Sequence, residues 1–95
     1  PAKGKADVIA VTNEFMGDFT MKFTLKSDLG ELAQLPVSVF LDNIHKMTVS
    51  VQGTNGKWVE ESRILNMGFG HNHYIKFYYG ADNLEIKEIV LTPNR

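Results

Sequence analysis

DFTMKFTLK, residues 18 to 26, alternates apolar and polar side chains along its whole length. At a period of two, the four apolar residues share one face of a strand, and the other face carries threonines and lysines. This stretch is therefore predicted to be a half-buried β-strand. The side chains that it directs into the core are Phe19, Met21, Phe23 and Leu25.

Two further runs with the same alternation predict a β-hairpin. Residues 37 to 41 and residues 47 to 51 each place three apolar side chains on one parity. Asp42 and Asn43 lie between these runs, and both residue types tolerate the positive φ of a tight turn. The two runs are therefore expected to pair antiparallel across this turn.

The C-terminal half of the chain continues the pattern and adds one irregularity. The turn pair Asn55-Gly56 precedes a strand expected to begin near Trp58, and residues 73 to 79 alternate again. In the last segment the apolar parity changes, so a β-bulge is predicted near Lys87 or Glu88. Seven or eight short strands separated by turns predict an all-β protein with an antiparallel β-sandwich fold.

The segment from Asp28 to Leu35 leaves two interpretations open. Asp28 is placed to cap a helix, Glu31 has the capping-box spacing, and Pro36 would end the helix after two turns at most. Gly30 lies inside the same segment and favours an irregular loop equally.

Composition excludes several classes of function. The 95 residues suffice for one domain, and the formal net charge of −1 offers no basic surface to nucleic acid or to an anionic membrane. The absence of cysteine excludes disulfides, thiolate metal sites and cysteine nucleophiles. No apolar run reaches the roughly 18 residues of a membrane helix. We expect one monomeric domain over residues 1 to 95, taken from a larger protein because no initiator Met is present.

Motifs for catalysis or metal binding are weak. His71 and His73 have the spacing of two ligands on one strand, but no third ligand lies nearby in sequence, so they are interpreted as a surface pair. No pair of carboxylates stands out for glycoside chemistry, and no Gly-x-Ser-x-Gly motif occurs. Gly68 and Gly70 are interpreted as turn glycines. The domain itself is therefore not expected to be an enzyme.

Aromatic and amide side chains remain as candidate ligand-binding residues. Sugars stack their C–H faces on exposed rings while amides and carboxylates hydrogen-bond the hydroxyls, usually at the rim of a rigid sandwich. Trp58 fits such a platform, although packing in the core would account for it as well. The predicted binding site consists of Trp58, Tyr79, Asp82 and Asn83.

Five segments, taken in order, resemble the carbohydrate-binding modules of families 6 and 35. They are GDFT at 17–20, PVSVFLDN at 36–43, NGKW at 55–58, HYIKF at 73–77 and NLEIKEI at 83–89. The resemblance covers about residues 17 to 92. It implies a jelly-roll sandwich of the galactose-binding-domain-like type, which binds a glycan without catalysing a reaction. Trp58 matches the ring that lines the family's sugar cleft, Asn83 matches an amide that hydrogen-bonds sugar hydroxyls, and His73 matches a structural histidine.

The resemblance also implies a setting and a set of partners. Such modules are attached to the catalytic domains of exported bacterial glycoside hydrolases, so an extracellular or periplasmic location is expected. The family holds a structural calcium with an early acidic strand, where this chain has only Lys3 to Phe15; no cofactor is predicted, and calcium stays open. One alternative is a structural domain that packs on a hydrolase such as an α-L-fucosidase without binding sugar. A further alternative is protein binding through the face of Tyr74 and Tyr78.

Overall fold

The alternating stretches of the sequence form strands in the computed structural model, which describes residues 3 to 12 and 16 to 94. Within these ranges the chain forms seven strands and no helix. They are β1 (Ala6–Thr12), β2 (Asp18–Lys26), β3 (Gln34–Leu41), β4 (Ile44–Gln52), β5 (Val59–Asn66), β6 (Asn72–Tyr79) and β7 (Glu85–Pro93). None of the described residues belongs to a helix that could cross a membrane.

The strands form two antiparallel sheets that pack face to face. One sheet has the order β1-β6-β3-β4, and the other has the order β5-β2-β7. The four apolar side chains of β2 are all buried, and the rings of Phe23 and Phe77 approach from opposite sheets with their centroids 6.3 Å apart. Removal of this apolar surface from water stabilises the sandwich. The predicted fold class and the predicted inner face of β2 are confirmed.

The predicted hairpin turn joins β3 to β4. Asp42 and Asn43 have φ values of 50° and 67°, and the flanking residues Leu41 and Ile44 pair across the turn. Two consecutive residues with positive φ are typical of the turns that match the twist of antiparallel strands.

The predicted β-bulge is present in β7. Lys22 pairs with Val90 whereas Thr24 pairs with Lys87, so the single residue between them on β2 faces two residues on β7. One of these two is Glu88, which has a φ of 53°. The extra residue allows apolar side chains on both sides of the bulge to pack against the same core.

The bulge leads to a prediction about stability. A residue with a side chain at positive φ is destabilised by roughly 1–2 kcal/mol relative to glycine. The additional conformational entropy that a glycine loses on folding costs less, roughly 0.5–1 kcal/mol. We therefore expect Glu88→Gly to be about 1 kcal/mol more stable to unfolding than the control Glu85→Gly, which lies in regular strand. Urea denaturation measures this difference. Equal losses in the two variants would contradict the strain at Glu88.

The segment before β3 is a loop, so the helix interpretation is wrong. The carbonyl of Leu29 accepts the Asn55 N–H at 2.9 Å, and the carbonyl of Gly30 accepts the Ala33 N–H at 3.0 Å. Pro36 lies inside β3, opposite Ser50, and ends no helix. Hydrogen bonds to a distant loop satisfy some of the backbone N–H and C=O groups that would have bonded within the segment if it were a helix.

His73 is a buried structural residue and not part of a surface pair, so that interpretation is wrong for His73. Its side chain is 6% exposed, and its Nδ1 donates to the Asp42 carboxylate at 2.6 Å. Its Nε2 lies 3.2 Å from the carbonyl oxygen of Gly70. The ring therefore joins the β3–β4 turn to the beginning of β6, as the resemblance to a structural histidine implies.

Candidate functional site

Two loops are fastened together at the end of the sandwich where β2 finishes. They are the β2–β3 loop, residues 27–33, and the β4–β5 loop, residues 53–58. The Thr54 hydroxyl accepts the Ser27 N–H at 2.9 Å, and the Gly56 N–H donates to the Ser27 carbonyl at 2.8 Å. Because Ser27 and Thr54 are both buried, these bonds are shielded from water. The two loops therefore form a fixed rim.

The β6–β7 loop, residues 80–84, joins the same rim through the side chain of Asn83. The Oδ1 atom of Asn83 accepts the Asp28 N–H at 3.1 Å, and Asn83 itself has a φ of 60°. Asp82 accepts the backbone N–H of Lys3 at 2.7 Å. Two of the predicted site residues thus lie at this rim, and each of them also has a structural hydrogen bond there.

Trp58 lies at the rim directly before β5, with its ring half exposed. Its side chain is 40% exposed, which does not support packing in the core. The Nζ atoms of Lys87 and Lys26 lie 4.0 Å and 5.0 Å from the ring centroid. Cations at these distances are attracted to the face of an indole. The two lysines therefore help to hold the ring in place and give its surroundings a positive potential.

Tyr79 does not belong to this site, so its prediction as a ligand-binding residue is wrong. The ring is 0% exposed, and its hydroxyl donates to the Asp7 carboxylate at 2.6 Å. Burial, together with the nearby Asp7 carboxylate, raises the pKa of Tyr79 well above its usual value. The sequence contained the signal for this placement, because Tyr79 shares the parity of the apolar Ile75 and Phe77.

The other two tyrosines of β6 lie on the outer face of the four-stranded sheet. Tyr74 and Tyr78 are both exposed, as is Val8 on the neighbouring strand. This is the surface that the protein-binding alternative requires. The structure identifies no partner for it.

A concave feature, which the sequence did not predict, lies beside the rim along one edge of the sandwich. Part of its lining comes from the two rim loops, namely Glu31, Gly53, Thr54, Asn55 and Lys57. It is a cleft of about 510 Å³ between β4 and β5, and we call it the edge cleft. Its lining includes Leu25, Glu31, Val51, Asn55, Val59 and Glu61. Glu61 lies opposite the buried Phe23, on the inner face of β5. The signal for this cleft in the sequence was Glu61 itself, a charged residue at a position where the alternation predicts an apolar side chain.

The described residues contain no set of ligands for a metal. In residues 3–12 and 16–94, no three His, Asp or Glu side chains come together to hold an ion.

Neither a protein-family model nor a curated protein matches this chain. Solved structures do match it. A family 35 carbohydrate-binding module from an environmental isolate superposes with a TM-score of 0.82 at 13% identity, over 98% of this chain and 69% of that chain. The C-terminal family 6 module of LamC, a laminarinase from Zobellia galactanivorans, gives a TM-score of 0.81 at 18% identity, over 97% of this chain and 75% of that one.

The chain has the fold of a family 6 or 35 carbohydrate-binding module. At these identities the likeness establishes the fold alone. A β-glucosidase from Paenibacillus barengoltzii also contains this fold, with a TM-score of 0.68 at 25% identity. There the match covers 95% of this chain and 10% of that chain, so the fold forms a small part of a much larger protein.

Proposed function

We propose that this domain is a non-catalytic carbohydrate-binding module whose loop rim, with Trp58 and Asn83, contacts the sugar. The observation that carries the proposal is the half-exposed ring of Trp58, fixed on a rim whose loops are fastened by buried hydrogen bonds. A sugar platform has to present its ring to solvent, whereas a tryptophan that packs in a core does not. The likeness to modules described as carbohydrate-binding supports the same conclusion.

The rim offers complementary chemistry to a sugar. The ammonium groups of Lys26 and Lys87 lie over the Trp58 ring, so a lysine has to swing aside for the C–H face of a pyranose to stack on the face that it covers. A displaced lysine stays close enough to the ring to donate to the sugar hydroxyls. Asn83 uses its Oδ1 within the protein, so its NH₂ group is the part that donates to the ligand. One aromatic ring on a shallow rim provides little contact area, and the affinity of a single site is therefore weak.

The biological setting is part of the same proposal. We infer that the domain is appended to an exported bacterial glycoside hydrolase and works outside the cytoplasm as a monomer. The presence of this fold within a β-glucosidase supports the first point. The likeness to modules described as carbohydrate-binding favours sugar binding over a purely structural role on a catalytic domain.

An NMR titration of the domain with fucosyl, galactosyl and xylosyl oligosaccharides tests the proposal. We expect saturable shifts of the Trp58 indole and the Asn83 side-chain amide, with dissociation constants on the order of millimolar. Trp58→Ala is expected to weaken binding by about tenfold or more, because it removes the stacking surface.

Phe69→Ala provides the matched control for this titration. Phe69 is 90% exposed, but it lies in the β5–β6 loop at the opposite end of the sandwich. Its loss should leave sugar binding unchanged. No shift at Trp58 with any sugar of the panel, or equal effects of the two substitutions, would overturn the proposed rim site.

A further inference from the structure

We propose that the pair Asn55-Gly56 is a modification site, at which Asn55 is converted to aspartate and isoaspartate when the two rim loops separate. Asn55 is the one asparagine of the sequence that precedes a glycine. A glycine in that position has no side chain to hinder the attack of its backbone nitrogen on the neighbouring side-chain amide. The site and its control by the rim are independent of the proposed function.

The reaction needs only base and water. The backbone nitrogen of Gly56 loses its proton to a base in the solvent and attacks Cγ of Asn55. The new N–Cγ bond closes a succinimide ring while the Cγ–Nδ2 bond breaks, and the amide nitrogen takes a proton from water and leaves as ammonia. Water then opens the ring. Its attack at Cγ gives aspartate, and its attack at the main-chain carbonyl gives isoaspartate, whose backbone is longer by one methylene group.

The folded rim blocks the first step of this reaction. The Gly56 N–H donates to the Ser27 carbonyl at 2.8 Å, and Ser27 is buried, so the proton that has to leave is shielded from base. The Asn55 N–H donates to the Leu29 carbonyl at 2.9 Å and holds the residue before it to the same loop. The side chain of Asn55 is exposed, so its Cγ is open to attack as soon as the Gly56 nitrogen is released. Separation of the two loops is therefore the controlling step.

The isoaspartate product prevents the rim from closing again. Asn55 and Gly56 have φ values of 54° and 79°, and this tight turn directs both of their N–H groups at the β2–β3 loop. A methylene group inserted between the two residues moves the Gly56 N–H away from the Ser27 carbonyl. The reaction thus converts a brief opening of the rim into a permanent one. Loss of sugar binding in this form is the one consequence that rests on the proposed function.

The rate of conversion of Asn55, measured by mass spectrometry of its peptide under mildly basic conditions, tests the control by the rim. We expect the folded protein to react at least about tenfold more slowly than the same protein unfolded in urea. Thr54→Val removes the hydroxyl that accepts the Ser27 N–H, and it should speed the reaction of the folded protein by about tenfold. Gly68→Ala, which acts at the opposite end of the sandwich, should change the rate by less than about twofold.

Hydrogen exchange of the Gly56 N–H in the natural protein gives a measurement that needs no variant. Its exchange should be slower than that of an unprotected amide and faster than that of Met21, which lies between two partner strands in β2. Exchange at the unprotected rate would overturn the proposal. Equal conversion rates in the folded and the unfolded protein, or equal acceleration by Thr54→Val and Gly68→Ala, would overturn it as well.

The effect of the product is measured on protein that has been aged in urea and refolded. Ion exchange separates the converted form by its added negative charge, and in its isoaspartate fraction the Ser27 N–H should lose its protection from hydrogen exchange. Asn55→Gln supplies the control, because glutamine would have to close a larger ring and should keep its protection through the same treatment. Full protection of Ser27 in the isoaspartate form would overturn the permanent opening. Absence of sugar binding in the unconverted protein would overturn the proposed function and leave the modification site standing.

Discussion

Gly53→Ala is expected to lower the free energy of unfolding by about 3 kcal/mol and to weaken sugar binding at the rim. A Cβ atom at position 53 would lie 2.5 Å from the carbonyl oxygen of Leu29 and closer still to that of Gly30. Both oxygens belong to the backbone, so the whole β2–β3 loop has to move. The Gly53 N–H, which donates to the Ala33 carbonyl at 3.1 Å, would lose its geometry in the process. Urea denaturation followed by circular dichroism measures the loss.

Gly68→Ala provides the comparison for this prediction. Gly68 has a φ of +64°, but no atom lies within 4 Å of the position that a Cβ would take. Its substitution therefore carries the conformational cost alone, about 1–2 kcal/mol, at the end of the sandwich away from the rim. A Gly53→Ala loss no larger than that of Gly68→Ala would show that the two loops are not in tight contact. Sugar binding should weaken in Gly53→Ala alone.

The strands could be predicted from sequence because the burial of their side chains follows from the local pattern of apolar and polar residues. In β2 and β6 every second side chain faces the core, so the period of the apolar residues predicts both a β-strand and the face of that strand that is buried. The bulge in β7 could be predicted for the same reason. Because the apolar groups on both sides of the parity change have to reach one core, the strand needs an extra residue between them.

The loops could not be predicted in the same way, because their conformation depends on distant partners. The residues from Asp28 to Leu35 contain a helix cap and a capping-box spacing, yet Leu29 bonds to Asn55 on another loop. Such a bond contributes nothing to the local sequence pattern. Tyr79 differs from the loops, because its parity with Ile75 and Phe77 does predict its buried position. The ring is wholly inside, and its hydroxyl reaches Asp7.

The ligand-binding role of Trp58 and Asn83 stays a prediction, and the structure shows only where the two residues lie. Trp58 and Asn83 are brought to one rim, and the pairing of Asn83 with Asp28 shows how the β6–β7 loop is fixed there. The edge cleft could not be predicted, because it exists only where the edges of two different sheets meet. The alternation of apolar residues within a strand does not show which strands are neighbours in a sheet. It also does not show that β4 approaches β5.

Removing the Asp42 carboxylate is expected to destabilise the domain by about 2 kcal/mol. Oδ2 of Asp42 accepts from His73 at 2.6 Å, and Oδ1 accepts the Tyr74 N–H at 2.9 Å. In Asp42→Ala the buried imidazole loses the acceptor of its Nδ1–H, and an unsatisfied polar group remains in the core. Thermal or urea unfolding at pH 7 measures the loss. The exposed Asp28, changed to Asn, should alter stability by less than about 0.5 kcal/mol.

The same carboxylate gives stability a defined dependence on pH. The hydrogen bond from His73, followed by that from the Tyr74 N–H, holds the pKa of Asp42 below its ordinary value of 3.8. Because the folded-state pKa is the lower one, this contribution is complete well above pH 3.8 and is lost as the pH falls through the folded-state pKa. The difference in unfolding free energy between the natural protein and Asp42→Ala should therefore be largest at pH 6–7 and shrink between about pH 4 and pH 2. A difference that stays constant over that range would show that the His73 contact does not depend on an ionised carboxylate, and a difference that grows would reverse the sign of the linkage.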